Sequence, residues 1–236
     1  MKLQGAGASF PAPLYSKWFK SYSESHPNVQ IDYQSVGSGT GIKSFIDKTV
    51  DFGASDAATT PDEISRVDPA LGVQLLPMTA GAIVITYNLP DVRELKLSRK
   101  AYSGIFLGSV KKWNDPLIAK TNPGVKLPAS PINVVVRADS SGTTFVFSQH
   151  LSAISPEFAK GPGASKMPNW PVGTRSKGNE GVTASVKTNT FPEARPSDVS
   201  VLMYAALVLL GITLLVNVVG AAILEKTSAG LEGGKA

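Results

Sequence analysis

The sequence predicts an α/β fold, built from alternating strand and helix signals. Apolar or alternating runs of strand length recur at 29–33, 52–55, 81–87 and 133–136. Between them stand segments whose apolar residues fall at helical spacing, which is the pattern of layered α/β architectures. The length of 236 residues, 42% of them hydrophobic, allows one or two domains and a sizeable core.

The first helix is expected over Leu14 to Tyr22, where Leu14, Tyr15, Trp18, Phe19 and Tyr22 form one stripe and Pro11 and Pro13 mark the entry. Such an aromatic stripe is a core-facing surface. Val29 to Tyr33 alternates as a strand. A helix over Gly41 to Val50 then carries Ile42, Phe45 and Ile46 on one face, and Phe52 to Ser55 is a short strand ending at Asp56. The continuous apolar runs Gly81 to Tyr87 and Asn133 to Val136 read as buried strands. Ser98 to Leu107 and Phe145 to Leu151 read as helices. Residues 122–124 mark a turn, and 161–179, dense in Gly, Pro, Ser and Asn, reads as loop.

From Val199 to Leu224 there is no charged residue. A helix needs about 20 apolar residues to cross a bilayer core, so this stretch is expected to span a membrane. Few charges flank it, which leaves its orientation open. The expected division is therefore a head at 1–190, a proline-broken linker at 191–198, the span at 199–224 and a polar tail at 225–236. No apolar leader precedes the head in the sequence as written.

Composition narrows the chemistry. With no cysteine, a disulfide framework, a thiolate zinc site and a cysteine nucleophile are all excluded. Two distant histidines, His26 and His150, do not make a multi-histidine metal centre, so no metal or cofactor is expected. His150 is expected to be a surface or capping residue. The formal net charge of +5 comes from scattered lysines rather than a basic stripe, which suits an anionic ligand better than nucleic acid.

One arrangement occurs three times. Gly5 to Phe10 precedes the first helix, Gly37 to Gly41 the second, and Ser140 to Thr144 the helix after the 133–136 run. Each combines small residues, a hydroxyl and helix-terminal N–H groups, which is the chemistry of an oxyanion site. Arg137, four residues before Ser141, adds a cation. Two nucleotide motifs nearly match and fail: Ile42 replaces the P-loop glycine before Lys43, and Phe10 replaces the last glycine of the dinucleotide fingerprint. There is no nucleophile elbow.

The segments GAGASFPAPLYSKWF, YQSVGSGTGIKSFIDKTVDFGASDA, KKWNDPLIAKTNPGVKLP, VRADSSGTTFVFSQHL and WPVGTRSKGNEGV closely resemble the phosphate-binding protein of the phosphate ABC transporter. The likeness runs from residue 5 to about 188. It implies a type-II periplasmic binding protein, two α/β lobes closing on one phosphate. By that resemblance Ser9, Phe10, Ser38, Asp56, Arg137, Ser141, Gly142 and Thr143 are the ligand residues, with Asp139 holding Arg137. Asp56 is the acceptor that admits a protonated phosphate and rejects sulfate.

Past the GNEGV helix, family members continue with strands returning to the first lobe, whereas this chain turns after Asn189 to the linker and the apolar span. That span resembles the last helix of the permease subunit, so the expectation is a C-terminally truncated binding head on a membrane helix. The expected function is binding inorganic phosphate, without catalysis, for an ABC transporter whose permease subunits are the partners. The expected location is the periplasmic or cell-surface side, anchored in the inner membrane. The competing expectations are a membrane-anchored interaction or permease fragment, or a non-functional fusion with a vestigial head.

Overall fold

The computed structural model describes residues 1–70 and 72–188. The chain divides into one unit of 1–76 with 85–190 and a second of 77–84 with 191–236. Of the second unit only 77–84 is described, and it has no regular secondary structure.

The first unit opens with strand β1 (Lys2–Gly7), then helix α1 (Ala12–Ser25), strand β2 (Gln30–Ser35), helix α2 (Ser38–Ile46) and strand β3 (Phe52–Ala54). All strands run parallel in the order β2-β1-β3, with Gly5 opposite both Tyr33 and Phe52. The aromatic stripe of α1 packs inward in part: Tyr22, at its far end, is exposed and stacks on His26. Tyr15 is buried and meets Tyr33 edge-on at 5.2 Å between ring centres, and Phe19 meets Phe52 at 6.0 Å.

The sequence reads Gly5 to Gly7 as a turn before a helix, and the structure makes it the middle strand. Glycine and alanine are poor strand formers on propensity. Here their lack of side chains is what the packing requires: a Cβ on Gly5 would lie 2.1 Å from the Phe52 ring, and one on Gly41 of α2 would lie 2.4 Å from the Gly7 Cα. Glycine within a strand marks this kind of close approach.

Helix α3 (Pro61–Ser65) follows, with a reciprocal cap in which Thr60 accepts from the Glu63 N–H and the Glu63 carboxylate accepts from the Thr60 N–H. The strand expected at Gly81 to Tyr87 does not form. Ile83, Val84 and Ile85 lie 42%, 63% and 39% exposed, and the segment enters neither sheet. An apolar run becomes a strand through pairing and burial, and among the described residues this one has neither.

Helices α4 (Arg99–Leu107) and α5 (Pro116–Ala119) lead to strand β4 (Val135–Arg137). Helices α6 (Gly142–Ile154) and α7 (Pro156–Lys160), strand β5 (Thr174–Ser176) and helix α8 (Gly178–Thr188) complete the described chain. Strands β4 and β5 pair in parallel as a second sheet. Two apolar clusters hold this half. Ala101, Ile105, Val110 and Ile118 form one; Val136, Leu151, Phe158 and Trp170 form the other. Ser98, Asp115, Ser141 and Ser155 each cap a helix by accepting a backbone N–H.

Two expectations shift here. The strand at 133–136 begins only at Val135, because the register with β5 starts at the Val135–Thr174 pair. The stretch read as loop at 161–179 contains β5 and the start of α8. A three-residue strand of Thr, Arg and Ser carries no apolar period to detect.

No helix among the described residues is long and apolar enough to cross a membrane. The expected linker at 191–198, the span at 199–224 and the tail at 225–236 lie outside the described residues.

Candidate anion-binding site

Every residue proposed from sequence for anion binding lies at or just after the carboxyl end of a strand or begins the helix after it, the place where open parallel sheets gather ligands. Beyond β1, Ser9 and Phe10 precede α1. Ser9 is buried, and its hydroxyl has no partner among the described residues. Phe10 is exposed. Beyond β2, Gly37 takes a left-handed φ of 90°, and Ser38, fully buried, starts α2. Beyond β3 stands Asp56. Arg137 is the last residue of β4, and Asp139 and Ser141 follow it ahead of α6.

The fold brings Ser38, Asp56, Gly142 and Thr143 into contact. The Thr143 N–H and Oγ1 donate to one oxygen of Asp56 at 3.1 and 2.9 Å, and the Asp56 N–H points at Ser38 Oγ, 3.4 Å away. Gly142 is glycine for lack of space: a Cβ there would stand 2.7 Å from Ser38 Oγ and 2.9 Å from the Ala57 nitrogen. The Gly39 N–H donates to the Ser140 carbonyl at 3.1 Å, so the starts of α2 and α6 abut. Lys166 and Glu63 add a half-buried ion pair at 2.5 Å between 60–65 and the loop after α7.

Arg137 is buried and held on two sides. Its Nε donates to Asp139 Oδ1 at 2.8 Å and its Nη2 to Asp139 Oδ2, while Nη1 donates to Asn179 Oδ1 at 2.7 Å. The Gly178 N–H also donates to Asp139, at 3.0 Å. Guanidinium has five N–H donors, so two remain after these three bonds. Ser141 is occupied differently: its Oγ caps α6 through the Thr144 N–H, and its own N–H donates to the Lys166 carbonyl.

The two carboxylates titrate in opposite directions. Burial raises the Asp56 pKa above its ordinary value, against the pull of the Thr143 bonds and of Arg137. Burial also acts on Asp139, but the bonds from Arg137 and Gly178 outweigh it and hold that carboxyl below its ordinary value. Burial, with the nearby Tyr15 and Asp56, pushes the Tyr33 phenol upward while it donates to the Ala8 carbonyl at 2.7 Å.

Ser9 and Phe10 border a cleft of about 480 Å³ together with Asn179, Glu180 and Thr183 of α8. Asn179 thus touches both the cleft and Arg137. Its motif GNEG stood out in the sequence, yet nothing there assigned the asparagine a role. His150 is exposed, its ring bonded to the Tyr102 hydroxyl at 2.7 Å, in keeping with a surface residue. No cluster of three or more metal-ligating side chains occurs among the described residues.

A family model described as a PBP superfamily domain matches residues 1–231. The chain belongs to that family. Its match runs through 199–224, so it lends no support to reading that stretch as a permease helix. Among curated proteins, the PBP chain is 46% identical over 188 residues to the phosphate-binding protein PstS of Pasteurella multocida, covering 78% of this chain and 53% of that protein. It is 45% identical over 187 residues to the PstS of Haemophilus influenzae, covering 78% and 54%. The chain spans about half the length of the curated relatives it matches. Among solved structures it is similar to a protein of Clostridium perfringens described as a phosphate ABC transporter substrate-binding protein, solved with bound phosphate. The TM-score is 0.61 at 20% identity, covering 80% of this chain and 67% of that one. That likeness supports the periplasmic-binding-protein-like α/β fold and nothing finer.

Proposed function

We propose that this PBP-superfamily chain binds inorganic phosphate, without chemistry, as a solute-binding component of a phosphate ABC transporter. The observation that carries the reading is the meeting of Asp56 with Thr143 beside Ser38 and Gly142: residues 87 apart in sequence converge where family ligands are expected. The names of the PstS relatives support phosphate as the ligand.

Binding follows from an exchange of acceptors. Phosphate takes the place of Asp56 as acceptor for the Thr143 N–H and Oγ1, and receives the Ser9 hydroxyl and the two remaining N–H groups of Arg137. The hydroxyls of Ser38 and Ser141 and the N–H groups of Phe10 and Gly142 complete the donor set. Asp56, turned from Thr143, accepts the proton of a hydrogen phosphate. Sulfate has no such proton and meets the carboxylate as a like charge. Asp139 keeps Arg137 oriented. The handover partners are the permease subunits, on the periplasmic or cell-surface side.

The division into a head at 1–190, a linker at 191–198, a membrane segment at 199–224 and a tail at 225–236 belongs to the same proposal. Its support is the uncharged stretch from Val199 to Leu224. That stretch also favours a second reading, a membrane-anchored interaction protein with a vestigial head.

Calorimetric titration of the full chain in detergent micelles decides between them. Saturable heat with phosphate and none with sulfate supports the receptor. Silence toward both anions from folded protein sinks it and leaves the anchored interaction protein. Equal binding of both anions removes the role given to Asp56.

A further inference from the structure

We infer that Asn179 is a further residue of the anion site, fixing Arg137 through its Oδ1 and presenting its Nδ2 to the cleft beside Ser9 and Phe10. The inference rests on the phosphate-binding reading for its ligand, but its structural half stands without it. Arginine has only donors, so the Asn179 oxygen must face Nη1 and the amide nitrogen must face away from it. No hydrogen bond among the described residues uses that nitrogen as donor, and Asn179 is one of the residues lining the cleft with Ser9 and Phe10. Asp139 grips the Nε and Nη2 edge of the guanidinium and Asn179 grips Nη1. Between them they leave one N–H on each terminal nitrogen for an anion. With Asn179 removed, the guanidinium keeps one clamp and gains freedom to swing about the Asp139 contact.

The position also has a plain alternative role. Asn179 lies in the first turn of α8, where an acidic residue is favoured by the helix dipole. The two roles predict opposite rankings for two variants. As an anion-site residue, Asn179→Ala weakens phosphate binding about tenfold, the scale of one hydrogen bond to a charged group. Asn179→Asp keeps an acceptor for Arg137, but it replaces the donor with a second carboxylate beside the cation. It should weaken binding about a hundredfold. As a helix-start residue only, Asn179→Asp would be the milder change, with a melting temperature at or above that of the wild type.

The experiment measures phosphate affinity by calorimetry and rotation of the Arg137 guanidinium by nitrogen-edited NMR, on the full chain in micelles and without phosphate for the second readout. The expected result is affinity falling in the order wild type, Asn179→Ala, Asn179→Asp, and hindered rotation in the wild type that is released in Asn179→Ala. Equal affinities, or an aspartate variant at least as tight as the alanine variant, would overturn the inference. If the wild type gives no phosphate heat, the function proposed above falls. The NMR arm then decides the grip on Arg137: release in Asn179→Ala supports it, and unchanged rotation refutes it. Should Asn179→Ala fail to fold, Asn179→Ser is measured in its place, under the same criteria.

Discussion

The starts of α1 and α6 look alike in sequence, each a small-residue turn with a hydroxyl, yet they reach opposite chemical states. At α6 most donors are spoken for: the Ser141 N–H goes to the Lys166 carbonyl, and Thr143 gives both its N–H and its hydroxyl to Asp56. At α1 the Ser9 hydroxyl is buried with no partner among the described residues. A protein leaves a buried hydroxyl unmatched only at a cost in stability, which makes such a group a marker of where an outside acceptor is received. The lesson is that a glycine–serine turn shows where an anion could go, and the state of its hydroxyl shows whether the place is filled from within.

The sharpest way to break this comparison is to remove the cation proposed for the anion site. Arg137→Ala should lower phosphate affinity at least about a hundredfold and, by leaving the half-buried Asp139 without its cation, destabilise the fold by roughly 3 kcal/mol. Calorimetry and thermal melting read the two effects separately. Next comes Gly142→Ala, which forces a methyl against Ser38 Oγ and the Ala57 backbone nitrogen. Overpacking of this kind costs about 1–3 kcal/mol, and it should separate the starts of α2 and α6, weakening affinity along with melting temperature.

Thr143→Val tests the filled state directly by deleting one of the bonds that Asp56 accepts. Asp56 is already raised by burial, so the folded state holds its proton more tightly than the unfolded chain does. Its contribution to stability therefore falls as pH rises through the ordinary carboxylate range to the raised value. Without the hydroxyl bond, which pulls that value down, the fall should extend to higher pH in melts of the variant. Asp139 has the reverse sign: its lowered pKa gives stability above the ordinary carboxylate value, lost as acid titrates it below that range. Ser9→Ala, the smallest change, should leave the melting temperature level or slightly higher while weakening phosphate about tenfold. A marked drop in melting temperature would mean that Ser9 has a partner in the fold after all.

Much of the frame was legible from residue patterns. The stripe of Tyr15, Trp18 and Phe19, the strands near 29–33 and 52–55 and the helices near 41–50 and 145–151 follow from spacing and turn chemistry, although α2 and α6 each start three residues earlier than the spacing indicates, at Ser38 and Gly142. What escaped did so for physical reasons. Strand β1 is a strand because its neighbours crowd it, a tertiary fact that Gly5 and Gly7 do not announce. Strand β5 is too short and polar to show a period. The 81–87 run has every local mark of a strand and lacks the pairing that would make it one. In the site, Arg137 and Asp139 could be coupled from their closeness in sequence, while Asn179, 42 residues on, could not.

The seam where Gly5, Gly7 and Gly41 let sheet and helix touch has a consequence in time. Backbone laid directly on backbone leaves water little access to the amides of Gly5 to Gly7, the buried end of β1, where the strand pairs on both sides. These amides should be among the slowest of the chain to trade hydrogen for deuterium, persisting after the segment at 73–97 has exchanged completely. The strand that delivers Ser9 would then be the clock by which every faster opening of the molecule is measured.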